Sequence, residues 1–142
     1  MSGPALLQHD SHQAIHEAAY EEAKALTELL QSLDSEQFLQ HKKVIDLLLE
    51  HWNTRVLAHA KEEEEGLYLT WGATSFLDSS TLQQFVQEHQ QMRDTFQSIV
   101  VMQEEGAMLQ PILAQFLALL AMSQQHSSHE ERELRKGGKS NV

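Results

Sequence analysis

Cysteine is absent from the 142 residues, and its absence excludes disulfides, thiolate zinc sites, iron–sulfur clusters, thiol redox chemistry and a cysteine nucleophile. Any metal must therefore be held through nitrogen and oxygen. Proline occurs twice and glycine six times, too seldom to interrupt long stretches in which apolar residues recur at spacings of three and four. Basic charge is also scarce. Ten Lys and Arg stand against 21 Asp and Glu, a formal net charge of -11, which makes a nucleic-acid backbone or an anionic membrane surface an unfavourable partner. No apolar run approaches the roughly 20 residues of a membrane span, and Met1–Leu7 has neither the basic start nor the apolar stretch of a signal peptide. The expectation is a cytoplasmic protein with no nucleic acid and no membrane among its partners.

Histidine is what the chain has in excess, with nine residues. Imidazole is the commonest protein ligand for first-row transition metals, and carboxylates supply the negative charge that completes such sites. The length allows one domain with a single sizeable core. The apolar spacing predicts a first helix from Pro4 to Leu33. A second opens on the capping pattern Asp34-Ser35-Glu36-Gln37 and runs to Tyr68, and an apolar loop follows over Gly66–Asp78. Ser80-Thr81-Leu82-Gln83 repeats the capping pattern and opens a third helix ending near Glu105-Gly106. Pro111 suits the first turn of a fourth, which should fade at Arg135–Gly138. These elements predict an all-α fold, an up-down-up-down four-helix bundle over residues 1–136 followed by a flexible polar tail at 137–142.

At about 100° per residue, Ile45, Leu49, Trp52, Val56, His59 and Glu63 fall on one stripe of the second helix. His59 and Glu63 therefore continue its core face. Phe85, His89, Met92, Phe96 and Ile99 share a stripe on the third helix. On the fourth, Ile112, Leu119 and His126 align, with Glu130 one turn further on. On the first, His12, His16, Ala23 and Leu30 align. His59/Glu63 and His126/Glu130 each place an imidazole and a carboxylate one turn apart, able to reach one metal or to bridge two. His129/Glu133 has the same spacing but lies off the core stripe.

The inward histidines also sit at similar heights. His59 lies about ten residues before the end of its helix and His89 about ten after the start of the next, while His89 and His126 are each about sixteen residues from their shared turn. His12 is offset from His59 by ~4–5 Å at 1.5 Å per residue. Unpaired buried imidazoles and carboxylates would each cost several kcal/mol, so a shared metal centre in the core is the economical reading.

His12, the run His59-Ala-Lys-Glu-Glu63-Glu64, His89 in Gln87-Glu88-His89-Gln90-Gln91-Met92, and the run His126-Ser-Ser-His-Glu130-Glu131 together resemble the hemerythrin-like cation-binding family. Leu67 and Leu134 follow the two His-x-x-x-Glu-Glu units at the same offset, as in that family. The resemblance covers residues 6 to 135 or so. It implies two iron ions in an oxo- or hydroxo-bridged di-iron centre, with His12, His59, His89 and His126 as terminal ligands and Glu63 and Glu130 as bridges. Hemerythrins proper draw a fifth histidine from a His-x-x-x-His pair on the third helix. Arg93 stands at that position here, whereas the first helix carries His12-x-x-x-His16. His16 is thus either a fifth ligand supplied from the symmetry-related helix or a neighbour of the set. The fourth-helix acid is Glu130, four residues beyond His126, where oxygen-carrying hemerythrins have Asp five residues on.

The resemblance admits three functions for such a centre. One is binding, storing or sensing dioxygen or a related small oxidant; another is redox catalysis on peroxide or nitric oxide; the third is an interaction module responsive to iron or oxygen. Among the remaining residues, His41 is expected as a solvated helix-end residue, ~27 Å along the axis from His59. His51 should point elsewhere, His9 should lie at the edge of its stripe, and His129 beside the site or at the surface. Only Glu63 of the Glu62–Glu65 run is expected to turn inward, and Tyr20 should pack with its hydroxyl at the rim. Leu69, Trp71, Phe76 and Leu77 are expected to form an apolar lid over the site.

Overall fold

Four long helical runs follow the apolar spacing. The computed structural model describes the backbone of residues 3–140 and the side chains of residues 11–137. α1 spans Gly3–Ser32. The second run is built in three pieces: α2 (Phe38–His51), a π-helical stretch at Trp52–Leu57, and α3 (Ala58–Glu65). A short α4 (Leu67–Ala73) leads to α5 (Ser79–Glu104) and α6 (Leu109–Ser140). α1 packs against α2 and α6, and α6 against α5, while the π stretch lies on α1 and α5. The result is an all-α, four-helix bundle with a buried His/Glu layer in its core. No described helix is long and apolar enough to cross a membrane.

Several boundaries differ from expectation for local reasons. Only half of the first capping pattern forms: Gln37 Oε1 accepts from the Asp34 N–H at 2.8 Å, and the helix begins three residues later at Phe38. Asp78, not Ser80, caps α5, its carboxylate accepting from the Thr81 N–H at 2.7 Å. Gly66–Asp78 is not a plain loop, because the backbone breaks at Gly66 and re-forms as α4. α6 does not end at Arg135–Gly138 but continues to Ser140. A Cβ at Gly137 would lie 2.9 Å from Phe76 Cζ, so the missing side chain lets the Phe76 ring rest on this last part of the helix. Residues 141 and 142 of the expected tail, and the side chain of His9, lie outside the described residues.

α5 ends in a Schellman motif. The Ala107 N–H donates to Met102 O at 2.8 Å and the Gly106 N–H to Gln103 O at 3.1 Å, with Gly106 at φ 72. Since a Cβ disfavours that left-handed conformation, Gly106→Ala is expected to cost about 1 kcal/mol. A lower urea midpoint at unchanged slope would register it.

Packing divides the interior into three layers. Leu30, Leu48, Trp52, Ile99, Phe116 and Leu119 anchor the larger apolar cluster, and Tyr68, Leu77, Phe85 and Leu134 form a smaller one nearer α4. The polar layer lies between them. His41 is buried at 6% exposure, contrary to the expectation of a solvated residue, because it continues the inward face of Val44, Ile45 and Leu48. It is no part of the polar layer. His51 is also buried, and its Nε2 donates to Ala19 O at 2.8 Å, fastening α2 to α1.

Candidate metal centre

Each bundle helix contributes to the polar layer. His12 and His16 stand one turn apart on α1, His59 and Glu63 one turn apart on α3, His89 on α5, and His126 and Glu130 one turn apart on α6. These seven residues form two groups able to hold a metal ion, with the ligand atoms of each group all within 4.8 Å of one another. The first is His12, His16, His59 and Glu63, and the second is Glu63, His89, His126 and Glu130. Glu63 belongs to both.

The carboxylate oxygens divide between the groups. Glu63 Oε2 hydrogen-bonds His12 Nε2 and lies 3.3 Å from His16 Nε2 and 3.7 Å from His59 Nε2, while its Oε1 lies 3.1 Å from His89 Nε2. Glu130 is arranged likewise: Oε1 is 3.1 Å from His12 Nε2, and Oε2 is 2.8 Å from His126 Nε2. Each carboxylate thus presents one oxygen to each group, as a ligand bridging two ions must. Counting atoms, the first position is faced by three imidazoles and two carboxylate oxygens, and the second by two imidazoles and two oxygens.

Burial makes this arrangement costly unless it is filled with charge of the right sign. Glu63 and Glu130 are 2% and 1% exposed. Burial alone would push the Glu63 carboxyl up, but hydrogen bonds from His12, His16 and His89 outweigh it and hold the group far below the carboxylate range. Burial likewise depresses His126, yet Glu130 and Glu88 overcome it and raise the imidazole to about 10. His59 is lowered by burial, which Glu63 only partly offsets. Two buried atoms, His59 Nε2 and Glu130 Oε1, have no hydrogen-bond partner. The Glu130 oxygen lies close to His12 without the alignment of a hydrogen bond. Orphaned acceptors aimed into a nitrogen and oxygen cage fit a divalent cation better than they fit a finished polar core.

Behind the imidazoles stands a ring of carboxylates. His89 Nδ1 donates to Glu64 Oε2 at 2.6 Å, and Arg93 Nη2 donates to the same oxygen at 2.6 Å. Glu88 accepts from His126 Nδ1 at 2.6 Å and from His129 Nδ1 at 2.7 Å. A proton fixed on Nδ1 leaves the Nε2 lone pair for the centre. His16 Nδ1 is 3.0 Å from Ser127 Oγ. The expectation that only Glu63 turns inward is corrected here, since Glu64 is drawn in by His89 and Arg93. Arg93, at the position of the missing histidine, positions the partner of a histidine instead.

Tyr68 was not among the residues singled out from the sequence. It is buried, its ring stacks on His89 at 5.6 Å, and its hydroxyl donates to Glu130 Oε2 while lying 3.3 Å from His89 Nε2 and 3.5 Å from His126 Nε2. Burial, with Glu130 and Glu63 close by, pushes its phenol well above the usual range and keeps it protonated. The break at Gly66, which starts α4, brings it there, and residue spacing carries no sign of this. Of the expected apolar lid, Trp71 sets its ring edge-on to His12 at 6.0 Å and Leu77 is buried, but Leu69 is 66% exposed and covers nothing. Tyr20 packs at the edge of the larger cluster. No family model, curated protein or solved structure matches the chain.

Proposed function

We propose that the chain is a non-heme di-iron protein that binds dioxygen or a related small oxidant, resembling the hemerythrin-like family in its ligand pattern and acting in the cytoplasm. The observation that carries this reading is the pair Glu63 and Glu130, each turning one oxygen to each of two imidazole groups. His12, His16, His59, Glu63 and Glu130 would hold one ion, and His89, His126, Glu63 and Glu130 the other. Iron suits this donor set better than zinc, because thiolates are absent and two carboxylates between imidazoles make a two-metal cage. Two iron ions supply paired one-electron changes and affinity for small oxidants.

The chain's own contribution is orientation and exclusion. Glu64 and Glu88 fix the tautomers of His89 and His126, and Trp71 and the Tyr68 ring shield the layer from water on the α4 side. The Tyr68 hydroxyl offers a proton-bearing donor next to the position with fewer protein ligands. That feature favours a second reading, a redox enzyme acting on peroxide or nitric oxide. Anaerobic iron loading should give two ions per chain. Mixing the reduced protein with oxygen then separates the readings: a visible band that reverses under vacuum marks reversible binding, whereas rapid autoxidation with peroxide consumption marks an enzyme. A chain that takes up no iron refutes both.

The carboxylates behind the imidazoles give a graded prediction. Glu64→Ala removes both the charge and the acceptor on His89 and should weaken binding of the second ion by about 10–100-fold. Glu64→Gln keeps an acceptor and should lose less. Equilibrium titration with a competing chelator measures both, and equal affinity in all three proteins would show that Glu64 does not support the ligand.

A further inference from the structure

Two open clefts reach the polar layer on either side of α6. The larger, about 410 Å³, lies between α1 and α6 and touches three members of the layer, His12, His16 and Glu130. The smaller, about 270 Å³, lies between α5 and α6 and touches only His126. Their chemistry differs. Glutamines dominate the smaller cleft, and its one carboxylate, Glu88, is already engaged by His126 and His129. It ends on the Nδ1 side of an imidazole whose other nitrogen faces the centre.

The larger cleft is acidic from mouth to floor. Glu17 and Glu21, both exposed and one turn apart, stand on its α1 wall, and Glu131, paired with Arg135 at 3.2 Å, on its α6 wall. Its floor includes Glu130, 1% exposed, whose Oε1 accepts no hydrogen bond. A divalent cation carrying six waters occupies roughly 200 Å³ at ~30 Å³ per water, so the cleft admits the hydrated ion. Carboxylates along a concave wall raise the local concentration of cations.

We propose that the α1–α6 cleft is the path by which divalent cations reach the centre, with Glu17 and Glu21 collecting the hydrated ion and passing it to Glu130 and the two α1 histidines. The proposal rests on the two-ion reading above. Each transfer exchanges bound water for a carboxylate or imidazole, with no change in oxidation state. Because Glu17 and Glu21 are exposed and lie outside the ligand groups, they govern the rate of loading, not the final occupancy.

Rapid mixing of metal-free protein with cobalt(II) at low ionic strength, followed through the visible absorption of the bound ion, tests this directly. The double variant Glu17→Gln/Glu21→Gln should load on the order of tenfold more slowly than the wild type and still reach two ions per chain. The difference should shrink as salt is added. Glu104→Gln/Glu105→Gln makes the same change in net charge at the far end of α5 and should load at the wild-type rate. Wild-type loading by the Glu17/Glu21 variant overturns the path while leaving the two-ion reading intact. Equal slowing of both double variants also overturns it, because bulk charge would then be the cause. A wild-type chain that takes up no cobalt overturns the path and the two-ion reading together.

Discussion

Replacing Glu63 with alanine is expected to reduce metal uptake from two ions per chain to at most one, and to do so more completely than loss of any single histidine. The asymmetry follows from geometry. His59 belongs to the first group alone, whereas the two oxygens of Glu63 serve both groups. His59→Ala should therefore spare the second position, while Glu63→Ala weakens both. The metal-free protein should suffer too. Glu63 is the hydrogen-bond partner of His12 inside the bundle, and removing one member of a buried charged pair costs about 3–5 kcal/mol. The stabilisation that bound metal adds, about 2.7 kcal/mol per site at a free concentration one hundred times Kd, would be lost as well. Metal analysis after gel filtration, together with melting curves with and without chelator, reads both effects. Two ions retained by Glu63→Ala would sink the proposed centre.

Sequence spacing made the bundle and the meeting of seven side chains legible for one physical reason: helices of similar length joined by short turns place residues equally far from a shared turn at equal height. His59, His89 and His126 needed only that rule. The supporting groups needed more. Glu64 and Arg93 lie on different helices, and what joins them is a hydrogen-bonded chain through His89 that no spacing along one helix encodes. His41 shows the reverse difficulty, since its residue type suggested water but the Val44, Ile45 and Leu48 face carried it inward. Tyr68 depends on the backbone break at Gly66, a conformation set where α3 meets α4. Local pattern thus located the ligand atoms, while tertiary contact decided which neighbours orient them.

The π stretch is the largest feature hidden from the apolar pattern, and it yields the second strong prediction. Placed at about 100° per residue throughout, Trp52, His59 and Glu63 share a stripe. Yet the observed helix is wound more widely over Trp52–Leu57, as an extra residue in a turn produces. Beyond it the fully inward positions are Ala60 and Glu63, with His59 half-buried at the side of that face. The extra residue therefore sets the angle at which the α3 ligands approach the layer relative to the apolar face of α2. Asn53 lies within the stretch and is exposed, so deleting it removes no core contact. Deletion would close the turn to ordinary α geometry and rotate everything after it by about 100°, with a shift of ~1.5 Å. His59 and Glu63 could then meet the layer only if Trp52 left the core. We expect the deletion variant to keep its helical circular dichroism but to bind no ion at the first position, and to melt well below the wild type. Asn53→Ala, which keeps the residue count, should load normally. If the deletion variant took up two ions with wild-type affinity, the π turn would have no part in setting the register of the ligands.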